Sequence, residues 1–140
     1  MKNILNTISS FFFTSNVLHL SKKEKKDYIY YISFYVLLIS SVIFHSTQNY
    51  YLGFIDRMLC YNIVYQGCIR LFKKNNFNNI KKIFLVIVTI ILFLFVVYLY
   101  IVGYIYKKYC FSTNTIEGEN YHSLLHLLSS LGHHIIIYLS

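Results

Sequence analysis

Long apolar runs separated by short clusters of lysine set the pattern of this chain. From Tyr28 to Ile55 there is no Asp, Glu, Lys or Arg. A bilayer-spanning helix needs about 20 predominantly apolar residues, and a helix over 28–47 fits inside this stretch. Asn49 and Gly53 read as breakers in the turn "TQNYYLG". A helix over 51–72 follows, with Asp56 and Arg57 in its first turns. The stretch "IFLVIVTIILFLFVVYLYIVGYIY", 83–106, is apolar on every face, as a membrane span is. From Asn120 to Ser140 no charge appears, and the last helix is placed over 120–139. Residues 4–20 are long enough to cross but carry Asn6, Asn16 and several hydroxyls. A retained span there is favoured over an interfacial helix or a cleaved signal peptide, since no small-residue cleavage site is clear. The fold class is therefore all-α, an integral membrane bundle of four to five transmembrane helices forming one domain over 1–140. No repeat or heptad pattern breaks it up.

Composition agrees with a membrane setting. The 140 residues are 56% hydrophobic and 13% charged, well to the apolar side of a soluble domain. The 15 Tyr and 12 Phe accompany many Ile, Asn and Lys. AT-rich coding sequence gives the same bias, so the aromatic counts carry no functional weight. A formal charge of +8 raises nucleic acid as a partner, but the lysines flank apolar runs instead of lining one face, and no nucleic acid is expected. Cys60, Cys68 and Cys110 form no CxxC and read as free thiols.

Loop charge orients the bundle. "KKEKK" (22–26) and "RLFKKNNFNNIKK" (70–82) fall on one side of it. The opposite side receives "TQNYYLGFIDR" and "KKYCFSTNTIEGEN", with fewer positive charges. The positive-inside bias makes the first side cytoplasmic. Five spans then leave the N-terminus outside and the C-terminus inside.

Hairpin geometry brings distant polar residues to one depth. His45 closes its helix near the non-cytoplasmic face, Asp56 opens the next helix there, and His122 and His126 open the last one. "HSLLH" places His122 and His126 at i and i+4, on one helical face about 6 Å apart. Two imidazoles so spaced can chelate one metal ion, and His45 supplies a third nitrogen. Three protein ligands with an open fourth position are the pattern of catalytic zinc. Ser41, one turn before His45, reads as a supporting hydrogen-bond partner. Asp56 reads as the group that orients or deprotonates an activated water. Each residue alone has a plainer explanation. A lone membrane histidine commonly bonds a neighbouring helix, HxxxH recurs by chance, Ser41 is a small packing residue, and Asp56 can pair with Arg57. The conjunction at one depth carries the argument. His133 and His134 lie deeper and read as packing residues, and His19 sits at the cytoplasmic end, outside the site.

"SSVIFH", then the Asp in "GFIDRMLCYN", then "YHSLLHLLSSLG" together resemble the CREST superfamily of membrane metal hydrolases. That group takes in alkaline ceramidases, adiponectin-receptor and haemolysin III-like proteins and the post-GPI-attachment branch. Its pattern, S-x3-H, then Asp, then H-x3-H in the last helix, is matched by Ser41, His45, Asp56, His122 and His126. The resemblance covers roughly 28–72 and 118–135. It implies zinc as cofactor and hydrolysis of an amide or ester bond in a membrane lipid. Family members have seven spans. A five-span chain lacks one helix pair between Asp56 and the last helix, which preserves the direction of crossing. A second copy or a partner subunit is a candidate source of the missing wall.

The expected protein is thus a multi-pass protein of an endomembrane or the plasma membrane, with a zinc site facing the non-cytoplasmic side and a lipid as substrate. Two rival readings stand beside it. One is a b-type haem subunit ligated by His45 with His122 or His126. The other is a non-catalytic assembly protein whose histidines cross-link helices.

Overall fold

In a computed structural model, residues 4–23, 27–73 and 79–140 are described. The central parts of both lysine-rich loops, 24–26 and 74–78, with Lys25, Lys26 and Lys74, lie outside the described residues. Six α-helices account for most of the described residues: α1 (Ile4–Ser10), α2 (Phe12–Ser21), α3 (Tyr28–Thr47), α4 (Tyr50–Lys73), α5 (Ile80–Tyr106) and α6 (Thr115–Leu139). A 3-10 turn, Tyr109–Phe111, joins α5 to α6, and no strand occurs among the described residues.

The helix expected over 4–20 is broken at Phe11. The hydroxyls of Ser9 and Ser10 both donate to the Asn6 carbonyl, at 3.0 and 2.8 Å. Such back-bonding competes with the helical ladder and bends helices. The chain then tightens to i−3 hydrogen bonds, Phe11 N–H to Ile8 and Thr14 N–H to Phe11.

Gly53 is not the breaker that its type suggests. Gln48, in the left-handed region at φ 55°, ends α3, and α4 begins at Tyr50. Asn49 starts α4 by accepting from the Tyr51 N–H at 2.9 Å, the ordinary work of an N-cap. Gly53 lies within α4, where a Cβ would stand 2.5 Å from the Phe44 ring. Its missing side chain lets the α3–α4 hairpin close.

The last helix starts at Thr115, five residues before the charge-free stretch. Asn114 caps it by accepting from Ile116 and Glu117 N–H groups, and Glu117 in the first turn faces the positive end of the helix dipole. Capping chemistry extends this helix past the boundary that hydropathy marks. Likewise Asn79 caps α5 through the Lys81 N–H, so α5 runs 27 residues, about 40 Å at 1.5 Å per residue.

α3 and α6 form the centre: α1, α2 and α4 each pack against both, while α5 packs on α6. The core between them is built by Phe13, Val17 and Leu20 of α2, Tyr30, Phe34 and Leu37 of α3, Ile63 of α4, and Ile136 and Ile137 of α6. Asp27 caps α3 and holds Arg70 at 2.6 Å, tying the start of α3 to the end of α4.

Two helical stretches are long and apolar enough to cross a membrane, α3 at mean hydropathy 1.6 and the stretch Ile80–Phe111 that contains α5 at 3.1. In α5 only Val86, Thr89, Leu99 and Gly103 are buried, and Phe84, Ile87, Ile91, Leu94, Ile101 and Ile105 stand exposed around it. α4 and α6 do not reach that hydropathy among the described residues. They carry Asp56, Arg57 and Arg70, and Glu117, Glu119 and four histidines.

Candidate metal centre

The end of α3 and the first half of α6 meet at three histidines. The helical period alone puts His122 and His126 on one face of α6, and their ring centroids lie 4.8 Å apart. His45 comes from α3, with its ring 4.8 Å from that of His122 and 5.2 Å from that of His126. One ligating nitrogen from each ring lies within 4.8 Å of the other two, so the group can hold a metal ion. His45 and His126 are buried.

The hydrogen bonds fit this role. His45 Nε2 is buried without a hydrogen-bond partner. An orphaned ring nitrogen of this kind is costly, and coordination of a metal removes the cost. His126 is held at Nδ1 by Ser9 Oγ at 2.8 Å, which leaves Nε2 as its ligating nitrogen. The Phe13 and Phe44 rings pack against His126 and His45 and restrict their rotation.

Asp56 and Ser41 stand beside this group, not in it. Asp56 is buried in the second turn of α4, outside the three-histidine cluster. Its Oδ1 accepts from Ser40 Oγ at 2.8 Å. Ser41, also buried, lies 3.0 Å from Ser10 Oγ. Both adjacent serines of α3 are hydrogen-bonded to the Asp56 carboxyl, and Ser41 also ties α3 to α1.

A cavity of about 270 Å³ opens beside the histidines and is lined by Asn6, Phe44, His45, Cys110, Ser112, Thr115, Gly118, Glu119 and His122. Most of these side chains are polar. Cys110 is a free thiol whose Sγ donates weakly to the Leu99 carbonyl at 3.8 Å.

The other three histidines are elsewhere. His133 is enclosed by Tyr30, Phe34 and Phe93, with the Tyr30 hydroxyl 2.5 Å from its Nδ1. His134 faces α2, 2.9 Å from His19 Nδ1 and 2.7 Å from Ser15 Oγ.

Reading the sequence did not find Asn6, Ser9, Ser10 or Ser40. A signal for the first three was present. Asn6, Ser9, Ser10, Phe13, Asn16, Val17 and Leu20 follow helical spacing and form the buried face of α1 and α2. Reading 4–20 as a membrane span left unread that its polar residues form an inward stripe. Comparison of the chain with protein-family models, curated proteins and solved structures finds no match.

Proposed function

We propose that this chain is a multi-pass membrane protein that binds zinc through His45, His122 and His126 and hydrolyses an amide or ester bond of a lipid. The observation that carries the reading is the convergence of three imidazoles from α3 and α6, with His45 Nε2 buried and without a hydrogen-bond partner. Three neutral nitrogens are the donor set of catalytic zinc. A zinc ion held by these three nitrogens would supply Lewis-acid polarisation of a carbonyl and a bound water with its pKa lowered toward about 7.

The chain's own residues supply the rest. Asp56, anchored by Ser40, accepts the proton released when water attacks. The cavity beside His45 and His122 receives the amide or ester linkage. The exposed apolar surfaces of α3 and α5 lie against lipid and let the acyl chain approach along the helices. The lysines within 22–26 and 70–82 support a site on the non-cytoplasmic side by the positive-inside bias. The order Ser41, His45, Asp56, His122, His126 resembles the CREST pattern and supports the same chemistry.

Haem ligation has less support. The three rings contact one another edge to face, which leaves no slot for a porphyrin between any two.

The test is metal content in detergent-purified protein, followed by hydrolysis of a panel of ceramides and phospholipids. One zinc per chain, lost in His45→Ala and His122→Ala, is the expected result. Full zinc occupancy in both variants, or none in the parent protein, would show that the histidines serve packing alone.

A further inference from the structure

We infer that Ser9 of α1 fixes the proton of His126 on Nδ1 and so presents Nε2 to the metal; Ser9 is a positioning residue of the centre proposed above, and the inference rests on that reading. The Asn6 carbonyl can only accept a hydrogen bond. Ser9 Oγ and Ser10 Oγ lie 3.0 and 2.8 Å from it. A hydroxyl has one proton to donate, so each serine directs that proton to Asn6 and faces its other neighbour as an acceptor.

The other neighbour of Ser9 is His126 Nδ1, at 2.8 Å. Facing an acceptor, Nδ1 carries the hydrogen. A neutral imidazole has one N–H, so the lone pair sits on Nε2. That is the form in which imidazole ligates a metal while its second nitrogen donates to an outer partner. Both residues are buried, at 3% and 8% exposure, so bulk water does not compete for the bond.

Ser10 likewise reaches a second hydroxyl, Ser41 Oγ at 3.0 Å, and Ser40 and Ser41 are both hydrogen-bonded to Asp56. One backbone carbonyl, the one whose back-bonding precedes the break at Phe11, thereby anchors both the serine that meets the ligand and the serine that meets Ser41.

Two measurements on detergent-purified full-length protein test the assignment. The first is the ¹⁵N spectrum of histidine-labelled, metal-free protein, which distinguishes a protonated from an unprotonated ring nitrogen. His126 should show Nδ1 protonated in the parent and in Ser10→Ala, and a mixture of tautomers in Ser9→Ala. The second is zinc affinity by competition with a chromophoric chelator. Ser9→Ala should bind zinc about 10–100-fold more weakly, and Ser9→Thr, which keeps the hydroxyl, should restore both readouts. An unprotonated Nδ1 in the parent, or parent-like zinc affinity in Ser9→Ala, overturns the assignment. The spectrum of the parent decides it even where Ser9→Ala does not fold. Failure of the metal reading looks different: the parent then binds no zinc, whatever tautomer His126 adopts.

Discussion

Each half of the bundle holds three histidines, and the two sets behave differently. At one end are His45, His122 and His126. Toward the other are His19, His133 and His134. In the second set each histidine has a ring nitrogen with a hydrogen-bond partner within the protein. His133 meets the Tyr30 hydroxyl, and His134 meets His19 at one nitrogen and Ser15 at the other. In the first set His45 Nε2 is buried without a hydrogen-bond partner, and the three ligating nitrogens lie within 4.8 Å of one another. Proximity of histidines is common to both ends. What separates a metal centre from a packing cluster is whether the hydrogen bonds are already satisfied. Spacing along α6 contributes to the difference. His122 and His126 are four residues apart and share a face, whereas His133 and His134 are adjacent and point about 100° apart, one into the core and one toward α2.

The comparison is broken most directly by removing a nitrogen at each end. His45→Ala, His122→Ala and His126→Ala should each lose zinc and hydrolysis. The loss should exceed the roughly 10–100-fold effect of removing a supporting hydrogen bond. His133→Ala and His134→Ala should keep one zinc per chain. Metal analysis across the five variants checks this, and loss of zinc from a variant of the second set would erase the distinction.

Asp56→Asn comes next in size. All three ligands remain, so zinc should stay bound. Hydrolysis should fall about 10²–10⁴-fold, the usual contribution of a positioned proton acceptor. Zinc loss in this variant would instead make Asp56 a ligand.

Stability sharpens the contrast further. Metal that binds only the folded state should stabilise the parent by about 2.7 kcal/mol when free zinc is a hundredfold above Kd. That gain, read as a rise in melting temperature in detergent, should vanish in His45→Ala. His133→Ala should respond to zinc as the parent does, from a lower baseline. Its loss strands the Tyr30 hydroxyl at a cost of about 1–3 kcal/mol. The smallest effect is expected at His134, which is only partly buried. His134→Ala should leave zinc affinity unchanged and shift stability by less than about 1 kcal/mol.

Local periodicity and local chemistry were written in the sequence. The apolar runs of α3 and α5, the Asn and Asp caps, and the shared face of His122 and His126 each depend on residues within a few positions of one another, so they could be read without a fold. Hairpin parity also brought His45 toward that face, because short turns leave little freedom of direction. Tertiary structure decided what depended on rotation about helix axes. That Ser40 joins Ser41 at Asp56 turns on how α3 is rotated against α4, since adjacent residues differ by about 100°. The inward stripe of α1 acquires its role only when Ser9 lies against α6, more than a hundred residues away in the chain. The gap in hydrogen bonding at His45 Nε2 is likewise a property of the packed bundle, since a nitrogen is orphaned only after every neighbouring helix has taken its place.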